Sequence, residues 1–197
     1  MKKIKTALLI TSALLFQGCV SKVDYGDAKE VETVNTDFGS TDLQSISKNM
    51  VESMLHFPPV IVLTANSRPV IMVDSIRNKT SEHIDTESIT DSISTQLLRS
   101  GKFRFVDMTR VESVRKQLDY QNNSGMVNPA QAVNFGRQVG AKYMLYGNLS
   151  SIVKENDDKR NVYYKITMNL MDLETGLLEW SEEKEIRKTK ERTLFGL

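Results

Sequence analysis

The chain holds two histidines, His56 and His83, and a single cysteine, Cys19. A zinc site needs three or four converging nitrogen, sulfur or carboxylate ligands at short spacings. No Cys, Asp or Glu stands at such a spacing from either histidine, so each reads as a solvated or helix-capping side chain and no metal is expected. Gly136 and Gly140 fall within and just after a predicted helix. They lack the following Gly-Lys-Ser/Thr that would cradle a phosphate. No Gly-x-Ser-x-Gly elbow occurs to expose a nucleophilic serine. The acidic pairs are Asp157-Asp158 in a predicted turn and Glu182-Glu183 on a predicted strand. Adjacent strand residues face opposite sides of a sheet, so neither pair can act as coupled acid and base. We therefore expect no catalytic residues, no cofactor and no enzyme. Tyr143, Tyr146, Tyr163, Tyr164 and Trp180 gather toward the C-terminal strands, where alternation favours a core role over stacking on a glycan. That leaves the polar run Asp74 to Ser81, which follows an apolar stretch. It reads equally as a binding loop carried at a strand end or as a solvated connection whose Asn and Thr cap their own turns.

Cys19 gains meaning from what precedes it. Lys2, Lys3 and Lys5 are followed by an apolar-rich run of eleven residues, Thr6 to Phe16. A basic start and a short apolar core define a secretory signal peptide, too short to span a bilayer as a helix. We assign it to residues 1–18. Leu15-Phe16-Gln17-Gly18-Cys19 resembles a bacterial lipobox, in which the cysteine is lipidated and becomes the mature N-terminus; Phe16 and Gln17 depart from its preferred residues. Several acyl chains hold a protein stably where one does not, so the expected product is a tethered domain. Val20 replaces the aspartate associated with inner-membrane retention, and the expected location is the outer membrane, facing the periplasm. Loss of the three leader lysines leaves 23 basic against 25 acidic residues, a net −2 in place of +1. A nucleic-acid partner is excluded on that balance.

The elements that must position these residues follow from pattern. A length of 197 residues with 40% hydrophobic and 26% charged content suits one globular domain and excludes collagen-like, disulfide-stapled and disordered chains. Residues 19–40 lack an apolar period and carry an acidic excess, so they are read as a lipidated, flexible tether reaching about 70 Å at most and nearer 25 Å as a coil. The folded domain is placed at 41–197. Thr41-Asp42-Leu43-Gln44 has the form of a capping box, with Leu43, Ile46, Met50 and Met54 at helical spacing until Pro58-Pro59. Val70 to Val73 is a buried strand. Thr86 to Ser100 is a helix with Ile89, Ile93 and Leu97 inward, closed at Gly101. Phe103 to Val106 is a second strand. Thr109-Arg110-Val111-Glu112 opens a helix through Val114 and Leu118, and Asn128-Pro129 opens another ending at Gly140. Strands are predicted over Lys142 to Lys154, across Val162 to Leu170, and from Leu177 to Ile186, with a fraying charged tail from Arg187. The fold class is α/β: one domain, a mixed sheet of four to five strands with helices packed on it, and a C-terminal antiparallel meander.

Four segments carry a resemblance to a known family. They are Pro69-Val70-Ile71-Met72-Val73-Asp74-Ser75-Ile76-Arg77-Asn78-Lys79-Thr80, Leu97 to Phe103, Gly140 to Gly147, and Leu170 to Gly176. In this order they resemble the LpoB family of outer-membrane lipoproteins, across roughly residues 45 to 187. The same segment plan is similar to the TolB N-terminal domain and to CsgG-like lipoproteins. The resemblance implies a monomer that binds and activates a class A penicillin-binding protein, docking on a regulatory domain between its two catalytic domains. Carried over by position, Arg77, Asn78, Lys79 and Thr80 are the partner-binding residues and Cys19 the lipid attachment. The family's long proline-rich tether is absent here. The alternative is a structural or assembly lipoprotein of the TolB/CsgG type.

Overall fold

The structure is a computed structural model and describes residues 22–108, 110–128, 130 and 140–192. The leader 1–18, Cys19, Thr109, Gly136 and nearly all of the helix expected between Asn128 and Gly140 lie outside the described residues. The chain divides into two compact units, up to Glu30 and from Val31 onward. In the first, residues 22–30 are exposed. Their local order is a turn closed by Glu30 N–H on the Asp27 carbonyl at 3.0 Å and a 2.8 Å ion pair between Lys22 and Asp24.

The second unit is built on one mixed sheet. Its strands are β1 (Val70–Val73), β2 (Arg77–Lys79), β3 (Arg104–Val106), β4 (Tyr143–Glu155), β5 (Lys159–Asp172) and β6 (Leu178–Glu191). They lie in the order β3-β1-β4-β5-β6, and β2 also pairs with β4. β1, β2 and β3 join their neighbours in parallel, whereas β4, β5 and β6 form the antiparallel meander expected from the alternation. The helices are α1 (Ser40–His56), α2 (Pro58–Leu63), α3 (Thr86–Arg99) and α4 (Val111–Asn123).

Side-chain period decides where the core lies. Tyr143, Leu145 and Leu149 of β4 and Val162, Tyr164, Ile166, Met168 and Leu170 of β5 occupy alternate positions, all buried. They form one cluster with Ile46, Met50 and Met54 of α1 and Ile89, Ile93 and Leu97 of α3. Each such aliphatic side chain contributes about 1.5–3 kcal/mol by leaving water. α3 matches the sequence expectation: Asp85 caps it by accepting from the N–H groups of Glu87 and Ser88, and Gly101 follows it with φ +72°. α4 buries no residue.

Four details differ from the sequence expectation. The sheet has six strands, not four to five, because three residues of the polar run 74–81 form β2. α1 begins at Ser40, and Asp42 rather than Gln44 reaches back, accepting from Gly39 N–H at 2.9 Å. The first predicted residue, Thr41, instead accepts from Glu32 N–H at 2.8 Å, so the box is displaced by the chain that runs up to it. Pro58-Pro59 ends α1 as expected, yet also starts α2, since proline is suited to the first helical turn. β6 continues to Glu191, with Arg187 to Glu191 paired against β5 rather than frayed. Lys188, opposite the buried Val162, takes the inward position there, where an apolar residue would announce a strand.

Candidate functional site

β2 is a continuation of β1 along the same side of β4. Val73 lies opposite Leu145 and Arg77 opposite Asn148, so one extra residue is taken up between them. Such an insertion kinks a strand and re-aims the side chains beyond it. Asp74 N–H keeps the ladder by donating to Leu145 O at 2.8 Å, and Ile76 turns into the core. The polar run is therefore held by a buried anchor and by sheet hydrogen bonds.

Alternation then sorts the four partner-binding candidates into two pairs. Arg77 and Lys79 fall on one side of β2, and both are exposed. Among the described residues neither is in an ion pair. Asn78 falls on the other side and shapes the loop beyond. Its Nδ2 donates to Glu82 O at 2.9 Å and to Ile84 O at 3.4 Å, while its Oδ1 accepts from Thr80 N–H at 2.9 Å and Thr80 Oγ1–H at 2.8 Å. Thr80 Oγ1 also lies 3.2 Å from Glu82 O and accepts from Glu82 N–H. The two alternatives left by the sequence thus divide by residue: Asn78 and Thr80 are turn-formers, and Arg77 and Lys79 are the charges presented.

The loop is fastened from beneath by groups that the sequence did not reveal. Glu82 Oε1 accepts from the Tyr164 hydroxyl and Oε2 accepts from Phe38 N–H at 3.0 Å. The same hydroxyl lies 3.2 Å from the Thr36 carbonyl. Burial, followed by the neighbouring Glu82 carboxylate, pushes the Tyr164 phenol well up, so it stays a neutral donor. Phe38 meets the Tyr164 ring edge-on at 5.6 Å and 74°. Lys188 Nζ donates to Asp37 O at 2.6 Å and to Asp42 Oδ2 at 2.9 Å, an ion pair whose carboxylate side chain is 7% exposed. Arg160 adds a 3.3 Å contact to Asp37. Residues 36–38, assigned to the tether on composition, are accordingly a strap bound to β5, β6 and the loop. No linear signal links Phe38, Glu82 and Tyr164; the one hint was a buried-phase tyrosine in β5.

The remaining candidates have structural places. His56 Nδ1 lies 2.7 Å from Glu52 O in the last turn of α1, the capping role expected. His83 is exposed on the loop. Among the described residues no three His, Cys, Asp or Glu gather as metal ligands. Tyr143, Tyr164 and Trp180 are core residues, whereas Tyr146 and Tyr163 lie half-buried on the opposite face, Tyr163 with the Arg187 guanidinium 5.8 Å from its ring centre. Among the described residues no helix is long and apolar enough to cross a membrane.

The described residues thus form an α/β domain with two exposed cations, without ion-pair partners among those residues, on a kinked strand. The family model described as peptidoglycan-synthase activator LpoB matches residues 42–186, from the first turn of α1 to the middle of β6, and the chain belongs to that family. It is 28% identical over 149 residues to the penicillin-binding protein activator LpoB of Cronobacter turicensis, covering 76% of this chain and 62% of that protein. To the Escherichia coli K12 protein of the same name it is 29% identical over 140 residues, covering 71% and 60%. The chain thus spans somewhat under two thirds of the length of these relatives. The solved LpoB C-terminal domain from Salmonella enterica aligns with 74% of this chain and 98% of its own, at 23% identity and a TM-score of 0.45.

Proposed function

We propose that this protein is an outer-membrane lipoprotein, anchored through lipid on Cys19, whose folded unit binds a class A penicillin-binding protein and activates it. The supporting observation is the match of residues 42–186 to a family described as activators of a peptidoglycan synthase. The exposed Arg77 and Lys79 on β2 supply a contact surface in keeping with it. Activation needs no chemistry from the activator. It needs tighter binding to the active than to the inactive conformation of the synthase, and about 1.4 kcal/mol of such preference shifts their ratio tenfold. Two cations on a rigid strand suit an acidic patch on the partner, which steers encounter and makes association fall with salt.

The test is glycan polymerisation from lipid-linked precursor by each purified class A synthase of the organism, with and without a soluble chain beginning at Ser21. One synthase is expected to accelerate, and Lys79→Glu to abolish the effect. If folded protein accelerates none of them, direct activation is wrong and an assembly role takes its place. Labelling with radioactive palmitate, lost in Cys19→Ala, checks the anchor.

A further inference from the structure

The end of the sheet opposite β2 gathers positive charge. The stretches 56–73, 96–106 and 140–148 contain Arg68, Arg99, Lys102, Arg104 and Lys142 and not one Asp or Glu. Three of these cations converge where β1, β3 and β4 begin. Arg104 lies opposite Val70 on one side, and Lys142 N–H donates to the Val70 carbonyl on the other at 2.8 Å. At ordinary strand spacing that puts the two backbones about 10 Å apart, with Val70 between them. Arg68 stands two residues before Val70, and all three line one shallow cleft with Ser67 and Tyr143.

The two guanidinium groups are crossed over one another's strands. Arg68 Nη2 donates to Phe103 O at 3.0 Å, and Arg104 Nε donates to the Arg68 carbonyl at 3.3 Å. Each spends one donor on a backbone carbonyl, which holds the planar fork, and among the described residues neither guanidinium makes a further hydrogen bond. Among the described residues neither forms an ion pair. Lys142 sits 5.4 Å from the Tyr143 ring centre; Asp172 and Glu174, on the β5–β6 turn, are the carboxylates whose field reaches it. Holding like charges side by side costs free energy unless an anion joins them.

We propose that Arg68, Arg104 and Lys142 form a binding site for a phosphate group, either free phosphate or the phosphate of a lipid headgroup. A phosphate monoester carries about 1.5–2 negative charges and several acceptor oxygens, matching two forks and an ammonium better than a singly charged carboxylate does. This site is independent of the synthase surface.

The experiment follows the backbone amide signals of Val70, Lys142 and Tyr143, which lie between the cations, by NMR with the full chain in detergent micelles. The probes are inorganic phosphate and, separately, dihexanoyl phosphatidic acid below its micelle concentration. Saturable shifts of these amides are expected, with affinity weakened about tenfold or more in Arg68→Gln/Arg104→Gln and unchanged in Lys48→Gln. Arg104→Lys, which keeps the charge and loses the fork, should fall between. Tighter binding of the phosphatidic acid identifies a headgroup, and equal binding a soluble phosphate; both support the site. Shifts that never saturate, or that persist equally in the double variant, overturn it.

Discussion

Asn78 is exposed, yet it makes four hydrogen bonds that define the turn after β2. Asn78→Ala should cost about 1 kcal/mol, toward the lower end of what several net hydrogen bonds contribute at a wet site. Urea unfolding measures it. Lys79→Glu should stay within about 0.5 kcal/mol of wild type, since surface changes that break no contact are nearly neutral, while synthase binding weakens. Equal losses of stability in both variants would refute the division between shaping and contacting residues. Tyr164 belongs to the same scale. Its phenol titrates higher in the fold than the roughly 10 of an unfolded chain, because burial and Glu82 disfavour the phenolate. The stabilisation is complete below pH ~10 and fades as pH rises above it, where only the unfolded chain ionises. Tyr164→Phe should remove that alkaline slope and cost about 1–3 kcal/mol at neutral pH by taking a donor from Glu82. Denaturation curves across the alkaline range, compared between the two proteins, decide it.

At the scale of elements, Gly147 sets how closely β4 and β5 can run. A Cβ there would meet the Thr167 carbonyl oxygen at 2.5 Å, and backbone does not yield as a side-chain tip does. Gly147→Ala should therefore cost about 1–3 kcal/mol, as overpacking does, and a melting temperature unchanged from wild type would contradict the close approach. The elements also mark what a sequence reveals. α1 and α3 were legible because Ile46, Met50 and Met54, and Ile89, Ile93 and Leu97, repeat at helical spacing and bury together. Gly101 was legible because a left-handed residue closes helices. β2 was hidden: three exposed polar residues, Arg77, Asn78 and Lys79, show no alternation of polarity, and their pairing with β4 is a long-range event. The end of β6 was hidden for a related reason, its inward position being filled by Lys188. Of the proposed docking surface, Arg77 to Thr80 were nominated by likeness to a family; that Asn78 and Thr80 shape the turn while Arg77 and Lys79 stand exposed needed the folded loop.

For the whole molecule, the two cationic surfaces stand at opposite ends of one line of chain. Arg104 and Lys142 flank the start of β1, whereas Lys79 pairs opposite Ser150, seven residues beyond Tyr143 on β4. At strand rise that is about 23 Å, beyond the range over which substitutions normally couple. Arg68→Gln/Arg104→Gln should leave synthase binding unchanged, and Lys79→Glu should leave phosphate binding unchanged. A double-mutant cycle over both ligands checks this, and a sizeable coupling would mean that the sheet transmits between its ends.

The strap has a mechanical consequence. A pull transmitted from Val31 toward the fold first meets Glu32, tied to Ser40 and Thr41 in the first turn of α1, and then Thr36, Asp37 and Phe38. Those residues are riveted to Tyr164, Lys188 and Glu82. Load that passes Glu32 falls on the clasp that also secures the turn after β2, so a tug on residues 36–38 and a shift of Arg77 to Lys79 act on the same rivets.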